Sequence, residues 1–123
     1  MRENEVIDRL KFRVWDKYEK SYWLQSTIEQ NIHWLMNPEE YKDANYPPDC
    51  VKVEQCTGLK DKTGKLIYED DVVIKNGHKY RVTWNNILLG FYLTDDIVFT
   101  NLNNEVEIIG NINENTDLLG ETK

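Results

Sequence analysis

The stretch Asp71-Val72-Val73-Ile74-Lys75-Asn76-Gly77-His78-Lys79-Tyr80-Arg81-Val82-Thr83-Trp84 decides the fold. Asp71 to Lys75 is a short apolar run of strand character. Asn76-Gly77 supplies the two residues of positive φ that a tight hairpin turn needs to match the twist of its strands. Beyond the turn, Tyr80, Val82 and Trp84 fall on one face and Lys79, Arg81 and Thr83 on the other. That period of two belongs to a half-buried strand. A β-hairpin is predicted here, with Tyr80, Trp84 and the downstream Phe91 packing into a core.

The same pattern continues outward on both sides. Asn85-Asn86 precedes an apolar run to Gly90, and Phe91 and Leu93 alternate with Tyr92 and Thr94. Asp95-Asp96 turns the chain into Ile97-Val98-Phe99, and Leu102 to Asn104 turns it again before Val106–Ile112, where Gly110 is expected to mark a bulge. Upstream, Val51 to Cys56 alternates. Asp61-Lys62-Thr63-Gly64 is turn chemistry with Gly at a left-handed position. Nearer the start, Leu10, Phe12 and Val14 alternate with Lys11, Arg13 and Trp15, Asp16 to Ser21 is a charged turn, and Tyr22 to Gln25 returns as a second strand.

One segment breaks the rhythm. Ser26 to Met36 is predicted as a helix capped by Ser26 or Thr27, with Glu29 completing a capping box and Ile28, Ile32 and Leu35 on one face. Pro38 and Pro47-Pro48 end it, so residues 37–49 read as a loop. Residues 26–49 thus form a helical and loop insertion, 50–112 the main β region, and 113–123 a polar tail whose Leu118-Leu119 sits on one helical turn capped by Asn115 or Thr116. With 123 residues the chain is expected to be a single domain.

Composition agrees with this reading. Val, Ile and Thr supply 27 residues and the aromatics 14, against a single alanine, Ala44. Branched and aromatic side chains suit a pleated surface better than a helix. The expected fold class is all-β with one or two short helices: a small closed or partly open β-barrel of SH3-like size, since closure removes exposed strand edges.

The net charge of −7 disfavours nonspecific binding to nucleic acid or anionic membrane. No apolar run is long enough for a membrane span and the N-terminus has no secretory signal pattern. Cys50 and Cys56 are too few for a structural zinc site and, on one strand, about 20 Å apart. Reduced, partly buried thiols in a cytoplasmic protein are expected.

Candidate chemistry is sparse. Glu69-Asp70-Asp71 and Asp95-Asp96 carry the oxygen ligands of a hard cation, but neighbours on a turn point apart and the calcium-loop spacing is missing. Solvated turns are the expected reading, with no metal and no cofactor. His33 and His78 show no spacing that pairs either with a thiol. Trp15, Trp84, Tyr80, Tyr92 and Phe91 are the ring types on which single-stranded bases stack, but such surfaces also need a basic groove. From Val82 to Thr122 there are seven acidic residues and no basic one. Lys11, Arg13, Lys79 and Arg81, on outward faces of two predicted strands, are the one candidate interaction face of that kind.

Leu10 to Lys17, the long block Gln55 to Val73, and Ile109 to Asn115 followed by Leu118-Leu119 together resemble the YopX family of small phage and prophage proteins of Gram-positive bacteria. The matching positions are Trp15, Asp16, Thr57, Gly58, Leu59, Asp61, Gly64, Tyr68, Asp71, Gly110 and Asn111, and their residue types are those of turns, bulges and packing. Asp70 departs from the family pattern, which has Gly there; Asp tolerates positive φ, so the turn is expected to survive. The resemblance implies a β-rich, barrel-like fold and a viral or prophage origin, and it implies no activity.

The expected function is a non-catalytic, acidic interaction module for a host or phage protein, with nucleic-acid mimicry as a variant and self-association left open. The alternatives are a single-strand nucleic-acid-binding barrel and a carboxylate-dependent hydrolase. The first predicts loss of binding in Arg13→Ala or Arg81→Ala, the second loss of activity in Asp71→Asn.

Overall fold

The computed structural model describes residues 11–120. Leu10 and the tail beyond Gly120 lie outside the described residues, as does the side chain of Leu119. The chain groups into two compact units, residues 13–54 and the remainder.

The larger unit is built on the predicted hairpin. Strands β5 (Asp71–Lys75) and β6 (His78–Asn85) pair antiparallel, Val73 opposite Tyr80 and Lys75 opposite His78, around Asn76 and Gly77 at φ 53° and 82°. Then β7 (Gly90–Thr94), β8 (Phe99–Asn101) and β9 (Glu107–Asn111) complete a five-stranded sheet in the order β8-β7-β6-β5-β9. The terminal strands β8 and β9 are its edges, so this half-barrel sheet is the open form of the expected architecture. Ile67, Val73, Val82, Leu93 and Val106 are fully buried, and Leu59, Tyr80, Phe91, Leu102 and Ile108 pack against them. The register shifts between Val72, opposite Gly110, and Val73, opposite Ile108, which puts the bulge beside Gly110. The second half of β3 (Val51–Lys60) pairs with β4 (Leu66–Tyr68) in this unit. Thr57-Gly58-Leu59 therefore lies within a strand rather than in the tight turn, which is formed by Asp61 to Lys65.

In residues 13–54, β1 (Phe12–Asp16) lies between the two-residue β2 (Ser21–Tyr22) and β3. The expected insertion of 26–49 is part of a larger unit, because side chains of both flanking strands belong to its polar and aromatic network. The single predicted helix is two, α1 (Gln25–Gln30) and α2 (Ile32–Met36), broken at Asn31 with φ −119°. Leu24 takes the N-cap position and no side chain caps α1, so the capping box does not form. Of the predicted apolar face only Ile28 is buried, and Ile32 is exposed. The loop 37–49 contains 3-10 turns at Pro38–Tyr41 and Pro48–Cys50. Trp15, expected on an outward face, is buried edge-on against Tyr22 at 4.9 Å.

The tail follows the prediction of one helical turn, α3 (Asp117–Gly120). Asn111 Oδ1 accepts from the N–H groups of Asn113 and Glu114, and Asn115 Oδ1 accepts from the Asn111 N–H. No helix among the described residues is long and apolar enough to cross a membrane.

Candidate functional site

The polar side chains of the long central block are engaged with backbone. Thr57 Oγ1 donates to the Ile67 carbonyl at 2.8 Å and accepts from the Leu59 N–H. Asp61 Oδ1 accepts from the N–H groups of Thr63 and Lys65 and from the Thr63 hydroxyl, while Oδ2 accepts from the Ile108 N–H at 2.9 Å. Burial works against this charge, but the donors from Ile108, Thr63 and Lys65 outweigh it and hold the carboxyl down to about 2. Asp71 Oδ2 accepts from the Tyr68 N–H at 2.7 Å. Gly58 and Gly64 take φ values of 86° and 97°, and Tyr68 is half-buried at the end of β4.

The acidic turns diverge. Asp70, at φ 74°, turns its carboxylate to the Arg81 guanidinium, with Nη2 to Oδ1 at 2.8 Å and Nε to Oδ1 at 3.0 Å. Glu69 faces the Gln55 N–H, and Asp95 closes its own turn on the N–H groups of Ile97 and Val98. Among the described residues no group of three His, Cys, Asp or Glu side chains is placed to hold a metal ion. Cys56 is buried and Cys50 half-buried, and no disulfide joins them. His33 contacts Glu40 and Asn37, and His78 is exposed beside Tyr80.

The four basic residues do not present open donors as a set. Arg81 is held by Asp70, and Arg13 Nε donates to Glu54 Oε1 at 2.7 Å while its guanidinium lies over the Tyr22 ring. Lys79 Nζ reaches the Leu118 carbonyl. Lys11 is exposed, and its carbonyl accepts from the Cys56 N–H. Glu54, which the alternation of Val51 to Cys56 placed outward, was not singled out in the sequence. It is fully buried, accepts from the Tyr22 hydroxyl at 2.9 Å, and also faces Lys52. Its chain neighbour Val53, which alternation placed inward, is exposed.

The larger of two notable cavities, about 610 Å³, lies in the larger unit. Its walls include Gln55, Cys56, Glu69, Trp84, Leu89 and Phe91. Trp84 and Phe91 face each other across β6 and β7 as an edge-on pair at 5.1 Å. Trp84 is not the core residue the alternation suggested: it is 43% exposed, and its indole N–H is bound by Asn86 Oδ1. Beside it, the β6–β7 turn projects Ile87, Leu88 and Leu89 at 90%, 50% and 72% exposure. The turn is nonetheless well tied. Asn85 Oδ1 accepts from the Ile87 and Leu88 N–H groups, and the Asn85 carbonyl accepts from the Leu89 N–H at 2.8 Å. Leu89 itself sits at φ 57°, a left-handed conformation that favours glycine.

The second cavity, about 530 Å³, lies within residues 13–54 and includes Asp16, Tyr18, Glu19, Trp23, Trp34 and Tyr46 in its walls. Trp34 stacks on Trp23 and Tyr46, each at 6.0 Å and at interplanar angles of 30° and 16°, and Tyr18 stands at 85° to Tyr46. Asp16, on β1, holds two of these rings, Tyr46 and Trp23. Its Oδ2 accepts from the Tyr46 hydroxyl at 2.6 Å and the Trp23 indole at 3.0 Å, and its Oδ1 from the N–H groups of Tyr18 and Glu19. Burial opposes the Asp16 charge, but these donors together hold its carboxyl below the ordinary value. Burial and the adjacent Asp16 push the Tyr46 hydroxyl up. Trp23, Trp34, Tyr18 and Tyr46 were not singled out in the sequence, where they fall on a turn, a predicted strand, the predicted helix and the loop after it.

Comparison with known proteins bears on the fold and the family. Curated proteins returned no match to this chain. The crystal structure of protein EF1440 from Enterococcus faecalis aligns with a TM-score of 0.54 and 24% identity, over 89% of this chain and 96% of that one, a likeness of fold. The family model described as YopX protein matches residues 11–120, including every described strand and the whole central block. The chain belongs to the YopX family.

Proposed function

We propose that this YopX-family chain is a phage- or prophage-encoded accessory protein of the host cytoplasm, acting as a non-catalytic module that binds another protein through the β6–β7 turn. The observation that carries this reading is Leu89. A left-handed backbone costs a branched residue about 1 kcal/mol that glycine would avoid, yet the turn keeps a leucine there with its side chain 72% exposed. Strain retained under an exposed apolar side chain supports a contact role. Ile87, Leu88 and Trp84 extend the apolar centre, and the acidic Glu69 lines the adjoining cavity on a chain of net charge −7. An apolar centre with a charged rim is the usual anatomy of a transient interface. The partner that complements it has an apolar groove bordered by Lys and Arg.

Affinity capture from host lysate tests this, with the wild-type chain run beside Ile87→Ser and Leu89→Gly. The reading expects a protein held at near-stoichiometric yield by the wild type and lost by both variants. Equal retention by all three removes the turn from the interface.

A further inference from the structure

The five-stranded sheet ends in two unlike edges. β9 is blunted by Glu107 and by the register irregularity beside Gly110. β8, Phe99-Thr100-Asn101, has no charge, proline or register shift, and all of it is exposed. Among the described residues nothing pairs with its outer side. The hydrogen-bond pattern fixes which groups point there. The Asp95 N–H donates to the Val98 carbonyl, so in the antiparallel register Leu93 and Thr100 form the next bonded pair. Phe99 and Asn101, opposite Thr94 and Tyr92, therefore direct their N–H and C=O groups away from β7. Their side chains share a face, where Phe99 meets Tyr92 edge-on at 5.4 Å.

We infer that β8 is a docking edge for an extended segment of another protein, with branched or aromatic residues at its centre and Lys or Arg at both ends. An added strand completes the hydrogen bonds of Phe99 and Asn101 and sets a side chain beside the Phe99 ring. Charge selects the partner. Residues 97–104 carry no charge, and they are bracketed by exposed Asp95 and Asp96 on one side and exposed Glu105 on the other. A second copy paired antiparallel about Thr100 would bring Asp95 of one chain toward Glu105 of the other, carboxylate against carboxylate. A segment with basic ends meets the same acids favourably. This edge is separate from the β6–β7 turn, which lies at the other end of β7 from the turn at 95–98.

The end-capped peptide Lys-Lys-Val-Thr-Val-Lys-Lys and its counterpart with Glu in place of Lys are titrated into the full chain, following backbone amide resonances and hydrogen exchange. Saturable binding of the basic peptide is expected, about tenfold or more tighter than that of the acidic one. Exchange should slow at the Phe99 and Asn101 amides and stay unchanged at Thr100, which β7 already protects. Asn101→Pro removes an outward donor, leaves the bonds to β7 in place and should weaken the basic peptide about tenfold. If that variant does not fold, Phe99→Lys, which sets a like charge on the edge, should weaken it as much. Leu89→Gly should bind the peptide as the wild type does, so failure at this edge is distinguishable from failure at the β6–β7 turn. No saturable binding, equal affinity for the two peptides, or full affinity in Asn101→Pro and Phe99→Lys overturns the assignment. A concentration-dependent dimer that Asn101→Pro abolishes overturns it too, in favour of a second copy as the occupant.

Discussion

At Asp61 a single carboxylate closes the turn between β3 and β4 and fastens it to β9 through the Ile108 N–H. Its folded-state value of about 2 lies below the ordinary 3.8. A depressed carboxylate stabilises the fold above its unfolded pKa, and that contribution fades as pH falls from about 4 toward 2. The shift corresponds to about 2 kcal/mol. Asp61→Asn should therefore lose about that much stability at pH 6, and the gap between the two proteins should narrow sharply by pH 2, as urea unfolding at both values will show. Asp70 joins two separable contributions, a left-handed backbone and the pair with Arg81. Asp70→Gly should cost about 1 kcal/mol or less, because it loses a half-exposed ion pair but relieves the backbone. Asp70→Ala should cost about 1 kcal/mol more, and that difference isolates the conformational term. The family pattern made the positive φ at Asp70 legible in the sequence. Its partner was not, since Arg81 is brought to it by pairing of strands and not by sequence proximity.

At the scale of elements, two glycines do different work. Gly77 sits at φ 82° with nothing within 4 Å of where a Cβ would stand, so Gly77→Ala meets only the backbone penalty of about 1 kcal/mol. A Cβ on Gly110 would lie 2.5 Å from Asn115 Oδ1 and 2.6 Å from Leu118 Cδ1. Gly110→Ala should cost about 1–3 kcal/mol through displacement of the C-terminal turn. Hydrogen exchange should show the loss of protection concentrated in residues 111–118 for Gly110→Ala and absent there for Gly77→Ala. The hairpin β5–β6 and the turn ahead of β4 were readable because turn residues and period-two alternation are local. The break between α1 and α2 was not, because helical spacing alone says nothing about what covers Ile32. Glu54 and Trp15 were misread for a related reason: alternation assumes one wet face, whereas Arg13, Tyr22 and Lys52 satisfy the buried carboxylate from elsewhere in the unit.

For the molecule as a whole, several charged side chains expected to carry chemistry, Arg13, Asp70, Asp71 and Arg81 among them, are engaged within their own fold. Of the candidate basic face, Arg13 and Arg81 are paired with Glu54 and Asp70. The aromatic pocket could not be read in advance, because its four rings come from separate places between Tyr18 and Tyr46 and are brought together by ring contacts and by Asp16. The β6–β7 turn was visible as an apolar run before Gly90, but alternation could not tell a buried run from a projecting one. The decisive measurement is Leu89→Gly, with thermal unfolding and affinity for the captured partner determined on the same preparation. If the leucine is kept for contact, the variant melts at the same temperature or higher and binds at least about tenfold more weakly, since a buried leucine contributes about 1.5–3 kcal/mol. Unchanged affinity, or a fall in affinity matched by a fall in melting temperature, would contradict it.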